Sequence, residues 1–155
     1  RIYSLIVDKL YGNLFEKNIA ILGFAFKSNT NDTRESPAID ICKNLIKEGA
    51  HLKIHDYKVS KQAISKELDL EPFTDDVTKQ STSKSWSFFN DVYQATKEVD
   101  AIIIITEWED YKKINWELIV RNLRKPSWIF DTRILLEPSY FKNMDVNFWQ
   151  LGLGY

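Results

Sequence analysis

At 155 residues and 18.2 kDa, the chain has the size of one globular domain and is too short for two catalytic domains. Hydrophobic residues at 44% and charged residues at 28% are ordinary soluble values, which excludes disordered and fibrous classes. A formal net charge of −1 without a basic block gives no long-range field for nucleic acid, and the longest aliphatic run, Ala101 to Ile105, falls far short of the ~20 residues of a membrane span.

The sequence opens at Arg1, without an initiator Met, on an apolar stripe at helical spacing: Ile2, Leu5, Ile6, Leu10 and Leu14. No capping residue precedes it, so it reads as the last part of a helix in a piece of a longer protein, with the domain proper from Lys17. Ile19-Ala20-Ile21-Leu22-Gly23 predicts a strand buried on both faces. A polar loop, Asn29 to Glu35, leads to Ser36-Pro37, an N-cap followed by proline at the first helical position. Ala38, Ile41, Cys42, Leu45 and Ile46 then form one helical stripe, with Gly49 as the left-handed C-terminal cap.

Leu52, Ile54 and Asp56 make a second strand, which completes a strand, helix, strand unit. Val59 to Leu70 predicts a helix, Glu71 to Lys84 an exposed polar excursion, Ser85 to Phe89 a short strand and Asp91 to Val99 another helix. Ala101 to Ile105 is the clearest buried strand, Trp116 to Leu123 a helix, Ser127 to Phe130 a strand ending at Asp131, and Val146 to Leu151 a last strand. The alternation predicts a Rossmann-like, doubly wound α/β fold with a mainly parallel sheet flanked by helices.

In such folds ligands sit outside the carboxyl ends of the strands. Gly23-Phe24-Ala25-Phe26-Lys27-Ser28 has the spacing of the dinucleotide fingerprint, but Ala25 and Ser28 replace its second and third glycines. A Cβ at Ala25 obstructs the approach of a pyrophosphate, which argues against the usual NAD pose here. Lys27 is either a contact for an anionic phosphate or a solvated surface cation. Arg34, among the carboxylates of Asp32-Thr33-Arg34-Glu35, reads as held in local ion pairs. Arg133 follows the strand ending at Asp131 and places a second cation on the edge that carries Lys27, which suggests a phosphate-bearing ligand.

Cys42 lies on a core-facing stripe and reads as an inert thiol, not a nucleophile. His51 and His55 share a strand face but lack a third ligand at a telling spacing, so no metal site is expected. In Thr106-Glu107-Trp108-Glu109-Asp110 the acids either cap the next helix or line a cleft, with capping the preferred reading. The five tryptophans read as core and interface.

Ile19 to Lys27, followed by Thr30 and Asp32-Thr33-Arg34-Glu35-Ser36-Pro37, resembles the opening of the C-terminal domain in the UDP-glucose/GDP-mannose dehydrogenase family, most of all its UDP-glucose 6-dehydrogenase branch. The likeness continues through Glu48-Gly49-Ala50, Ile54-His55-Asp56, Thr106-Glu107-Trp108 and Phe130-Asp131-Thr132-Arg133. The family commonly has glycine at the position of Thr132 and a polar or basic residue at that of Ile134. The resemblance implies that residues 1–16 are the tail of a central linking helix and residues 17–155 a UDP-sugar-binding domain. It implies that Phe26, Lys27 and Arg133 contact the UDP-sugar and that Arg34 reaches an NAD phosphate at the domain interface. NAD itself, the catalytic Cys and the catalytic Lys then belong mainly to an N-terminal domain outside this chain. The implied whole is a cytoplasmic homo-oligomer that oxidises UDP-glucose to UDP-glucuronate, the fragment alone being inactive. Enzymes acting on GDP-mannose or N-acetylated UDP-sugars, and a stand-alone nucleotide-binding or oligomerisation module, are the alternatives.

Overall fold

The computed structural model describes residues 2–73 and 85–153, so most of the expected polar excursion lies outside the described residues. Six strands, β1 (Asn18–Leu22), β2 (His51–His55), β3 (Trp86–Phe88), β4 (Ala101–Ile104), β5 (Trp128–Asp131) and β6 (Asn147–Gln150), form one parallel sheet in the order β3-β2-β1-β4-β5-β6. The order reverses between β1 and β4, which opens a crevice at their carboxyl ends.

Alternation along the central strands divides the core. Ile19 and Ile21 of β1 and Ala101 and Ile103 of β4 face the side covered by α1 (Ile2–Lys9), α2 (Pro37–Lys47) and α3 (Lys61–Leu68), with Ile6, Ile41, Leu45 and Ile64. Ala20, Leu22, Ile102 and Ile104 face α4 (Val92–Thr96) and α5 (Trp116–Arg121), with Val92, Trp116 and Ile119. Both central strands are therefore buried on both sides, the environment that a continuous apolar run predicts.

The helix signals are used as the sequence implies. The Ser36 hydroxyl accepts from the Ala38 amide and donates to the Phe24 carbonyl, so one side chain starts α2 and pins the loop leaving β1. Gly49 has φ +91°, and a Cβ there would come within 2.8 Å of Phe15. α3 starts later than expected because Ser60 supplies its cap, and Asp69, in the left-handed conformation, ends it. Two 3-10 helices, Glu109–Lys112 and Pro138–Phe141, were not expected; at four residues each they are too short to show a periodicity.

Candidate functional site

The turn after β1 is drawn inward. Gly23 has φ +97°, and a Cβ there would lie 2.3 Å from Thr106 Cβ, so only glycine fits. The amides of Phe24 and Ala25 donate to Asp56 Oδ2 at 2.7 and 3.1 Å, and the indole N–H of Trp108 donates to the same oxygen at 3.3 Å. Asp56 Oδ1 accepts from the amides of Lys58 and Val59 at 2.8 and 2.9 Å. The Ala25 carbonyl accepts from Thr106 Oγ1 at 2.8 Å. A dinucleotide fold needs the amides of this turn for the pyrophosphate and the acid ending β2 for the ribose. Here both are committed to each other, and Ala25 is fully buried. A dinucleotide in its usual pose does not fit this half of the sheet.

Past Ala25 the loop turns outward. Phe26 is 40% exposed and Lys27 is exposed, while the Phe26 amide donates to the Asp32 carbonyl at 2.8 Å. Among the described residues no hydrogen bond or ion pair engages the Lys27 ammonium, although its field acts on Asp32. Asp32 grips Arg34 through Nε at 3.0 Å and Nη2 at 2.8 Å, and these bonds hold the Asp32 carboxyl down at about 2. The Arg34 side chain is 87% exposed, so this ion pair is a weak one that a stronger anion can displace.

Arg133 is held by the strand that precedes it. Its amide donates to Asp131 Oδ1 at 3.0 Å, while Asp131 Oδ2 accepts from the amides of Leu135 and Leu136 and from Gln150 Nε2. Its Nη2 donates to Glu107 Oε2 at 2.5 Å, and Glu107 Oε1 accepts from the Ser28 amide at 3.1 Å. The residue next to Lys27 and the guanidinium of Arg133 thus meet on one carboxylate. Burial pushes the Glu107 carboxyl up, but Arg133 and the surrounding amides outweigh it and bring it below the ordinary range.

The preferred reading of Glu107 as a helix cap is corrected. The 3-10 helix that follows begins at Glu109 without a side-chain cap, whereas Glu107 joins two loops. Thr106, Glu107 and Trp108 together tie the loops after β1, β2 and β5, because they leave the central strand β4 at the point where those loops converge. Sequence reasoning also left Asp56 and Asp131 as mere strand ends; their signal was an acid directly after an apolar strand and before a tight turn.

Other candidates take structural roles. Cys42 is fully buried, and burial pushes its thiol up. His55 is buried, with Nδ1 2.9 Å from the Tyr111 hydroxyl, and no group of three metal-ligating residues occurs among the described residues. Four of the tryptophans, Trp86, Trp108, Trp116 and Trp149, are buried. A cleft of about 740 Å³ opens beside the Arg133 loop, lined by Ile134, Leu136, Tyr140 and Gln150 among others, while Arg133 itself lies outside it. No helix among the described residues is long and apolar enough to cross a membrane.

A six-stranded parallel sheet with cations over the carboxyl edge at its switch point defines a Rossmann-like α/β domain suited to an anionic ligand. The chain belongs to the UDP-glucose/GDP-mannose dehydrogenase family, whose UDP binding domain matches residues 20–138. UDP-glucose 6-dehydrogenase 3 of Arabidopsis thaliana is 35% identical over 162 residues, covering 98% of this chain and 33% of that protein. UDP-glucose 6-dehydrogenase of Drosophila melanogaster is 35% identical over 155 residues, covering 100% of this chain and 32% of its own length. The chain spans about a third of the curated relatives it matches. Solved structures agree on the fold. A UDP-D-ManNAc dehydrogenase from Pyrococcus horikoshii superposes with a TM-score of 0.68 at 23% identity, over 96% of this chain and 28% of that one. An NDP-N-acetyl-D-galactosaminuronic acid dehydrogenase from Methanosarcina mazei Go1 gives 0.72 at 18% identity, over 97% and 28%.

Proposed function

We propose that residues 17–155 are the UDP-sugar-binding domain of an NAD-dependent UDP-glucose 6-dehydrogenase, which oxidises the C6 hydroxyl of UDP-glucose to the carboxylate of UDP-glucuronate. Residues 1–16, in which the helix ends at Lys9 and a turn leads into β1, are then the end of the segment that links this domain to the rest of a homo-oligomeric enzyme. The observation that carries the reading is the convergence on Glu107 of Arg133 and the amide of Ser28, directly after an exposed Lys27 that no described group pairs, in a chain 35% identical to UDP-glucose 6-dehydrogenases. Lys27 and Arg133 meet the diphosphate, Lys27 as a point charge and Arg133 as a planar fork. Phe26, exposed before Lys27, packs against the sugar nucleotide. Arg34 reaches outward to an NAD phosphate at the domain interface, releasing Asp32.

Held mainly outside this chain, two NAD molecules would supply the acceptors for the two hydrides lost, and one water the added oxygen, as an alcohol becomes a carboxylate. This domain's part is to bind and orient the substrate. Its one cysteine, Cys42, is buried with its thiol pushed up, so it supplies no thiolate nucleophile for a covalent intermediate. The chain alone therefore produces no NADH from UDP-glucose and NAD. The reading is tested by that assay together with the coding sequence upstream of Arg1, which is expected to encode a glycine-rich Rossmann fingerprint and a reactive cysteine. Turnover by the chain alone, or an upstream sequence without these features, contradicts it.

A further inference from the structure

Glu107 places a negative charge beside the cation that the proposed site needs, and a bare carboxylate there would oppose anion binding. Its surroundings show why it is there. Thr106 on one side is bonded to the Ala25 carbonyl and Trp108 on the other to Asp56, so the backbone at Glu107 is fixed to two loops. Its two oxygens each accept one bond, from the Ser28 amide at 3.1 Å and from Arg133 Nη2 at 2.5 Å. A guanidinium carries five N–H donors in a rigid plane. Glu107 engages one terminal nitrogen, and no other described group accepts from the Arg133 side chain. The rest of the fork is left for a second anion.

An unheld arginine loses much rotamer freedom when it closes on a ligand, and a partner that orders it beforehand removes that loss from the binding step. We propose that Glu107 is the positioning residue for the diphosphate: it fixes the Arg133 guanidinium against the Ser28 amide so that the free edge of the fork meets the nucleotide phosphates. This rests on the UDP-binding reading above.

The test is an amide NMR titration with UDP of the unaltered chain, Glu107→Gln, Glu107→Asp, Arg133→Ala and the Glu107→Gln/Arg133→Ala double variant. In the same side-chain position a glutamine puts an NH2 donor where one of the two accepting oxygens stands, so it opposes either the Ser28 amide or Arg133 Nη2. Glu107→Gln is expected to weaken UDP binding roughly 5- to 20-fold, with little further loss in the Arg133→Ala background. Glu107→Asp keeps both oxygens and is expected to recover part of the loss. Equal or tighter UDP binding by Glu107→Gln makes Glu107 a competitor of the ligand and overturns the proposal. A loss that adds in full to that of Arg133→Ala assigns Glu107 a general structural role and also overturns it. If Glu107→Gln does not fold, equal or tighter binding by Glu107→Asp is the overturning result. Absence of any UDP response in the unaltered chain contradicts the UDP reading and this proposal together, whereas a response that is indifferent to Glu107 contradicts this proposal alone.

Discussion

The two ends of β4 carry the same construction with opposite outcomes. At the amino end, Asp100 accepts the Asn18 amide at the start of β1 and grips Arg124, which precedes β5, through Nε at 2.8 Å and Nη2 at 3.0 Å. At the carboxyl end, Glu107 accepts the Ser28 amide after β1 and a single Nη2 of Arg133 after β5. The Asp100 side chain is 8% exposed and that of Glu107 30%. At the amino end both Asp100 oxygens are spent, on a two-point grip of Arg124 and on the Asn18 amide, which ties the start of β1 to β4. The carboxyl-end pair spends one Nη2 on Glu107 and leaves the rest of the Arg133 fork open, on the edge where parallel sheets bind ligands.

If this contrast holds, the largest stability losses come from the buried, saturated acids. Asp56→Ala strands the buried amides of Phe24 and Ala25 and is expected to cost roughly 4 kcal/mol in urea unfolding. Asp100→Ala removes the partner of Asn18 and Arg124 and is expected to cost about 3 kcal/mol. Glu107→Ala, a half-exposed pair, is expected to cost less than about 1 kcal/mol. A loss at Glu107 equal to that at Asp100 breaks the comparison. Smaller still, Lys27→Ala and Arg34→Ala lie within about 0.5 kcal/mol of the unaltered chain in the same unfolding measurement.

The histidine beside this edge adds a pH dependence. Burial lowers the pKa of His55, against the opposing pull of Asp56 and Asp91. The fold therefore favours the neutral ring, and its contribution is full above the unfolded value of about 6.5 and is lost as the pH falls below it toward the folded value. The Glu107 carboxyl, also lowered, loses its contribution further down, as the pH falls below the ordinary glutamate range. Thermal unfolding between pH 7 and 5 is expected to fall less steeply in His55→Gln than in the unaltered chain.

The elements were legible because each had a local cause. The apolar runs of β1 and β4, the Ser36-Pro37 start of α2 and the glycine after it need no tertiary context. The cationic positions were legible because a parallel sheet sends every strand's carboxyl end to one edge, so Lys27 and Arg133 had to share it. What the sequence concealed was the division of labour among carboxylates. Asp56, Asp100, Glu107 and Asp131 look alike in a row of letters. Which of them is saturated depends on amides brought from up to 82 residues away, as between Asn18 and Asp100. Glu107 was misread as a cap because helix caps act locally, whereas its partners lie 79 and 26 residues away along the chain.

The most direct test of the account is an amide NMR titration of this chain with UDP, UDP-glucose and GDP, repeated on Lys27→Ala and Arg133→Ala. A domain bearing only half of an interdomain site binds weakly, so ligand is taken to the millimolar range. Shifts clustered at Gly23 to Ser28, Glu107 and Asp131 to Arg133, larger for the uridine ligands and moved to higher ligand concentration in both variants, are the predicted result. Shifts confined to the cleft around Ile134 and Tyr140, or no response to UDP at all, would contradict it.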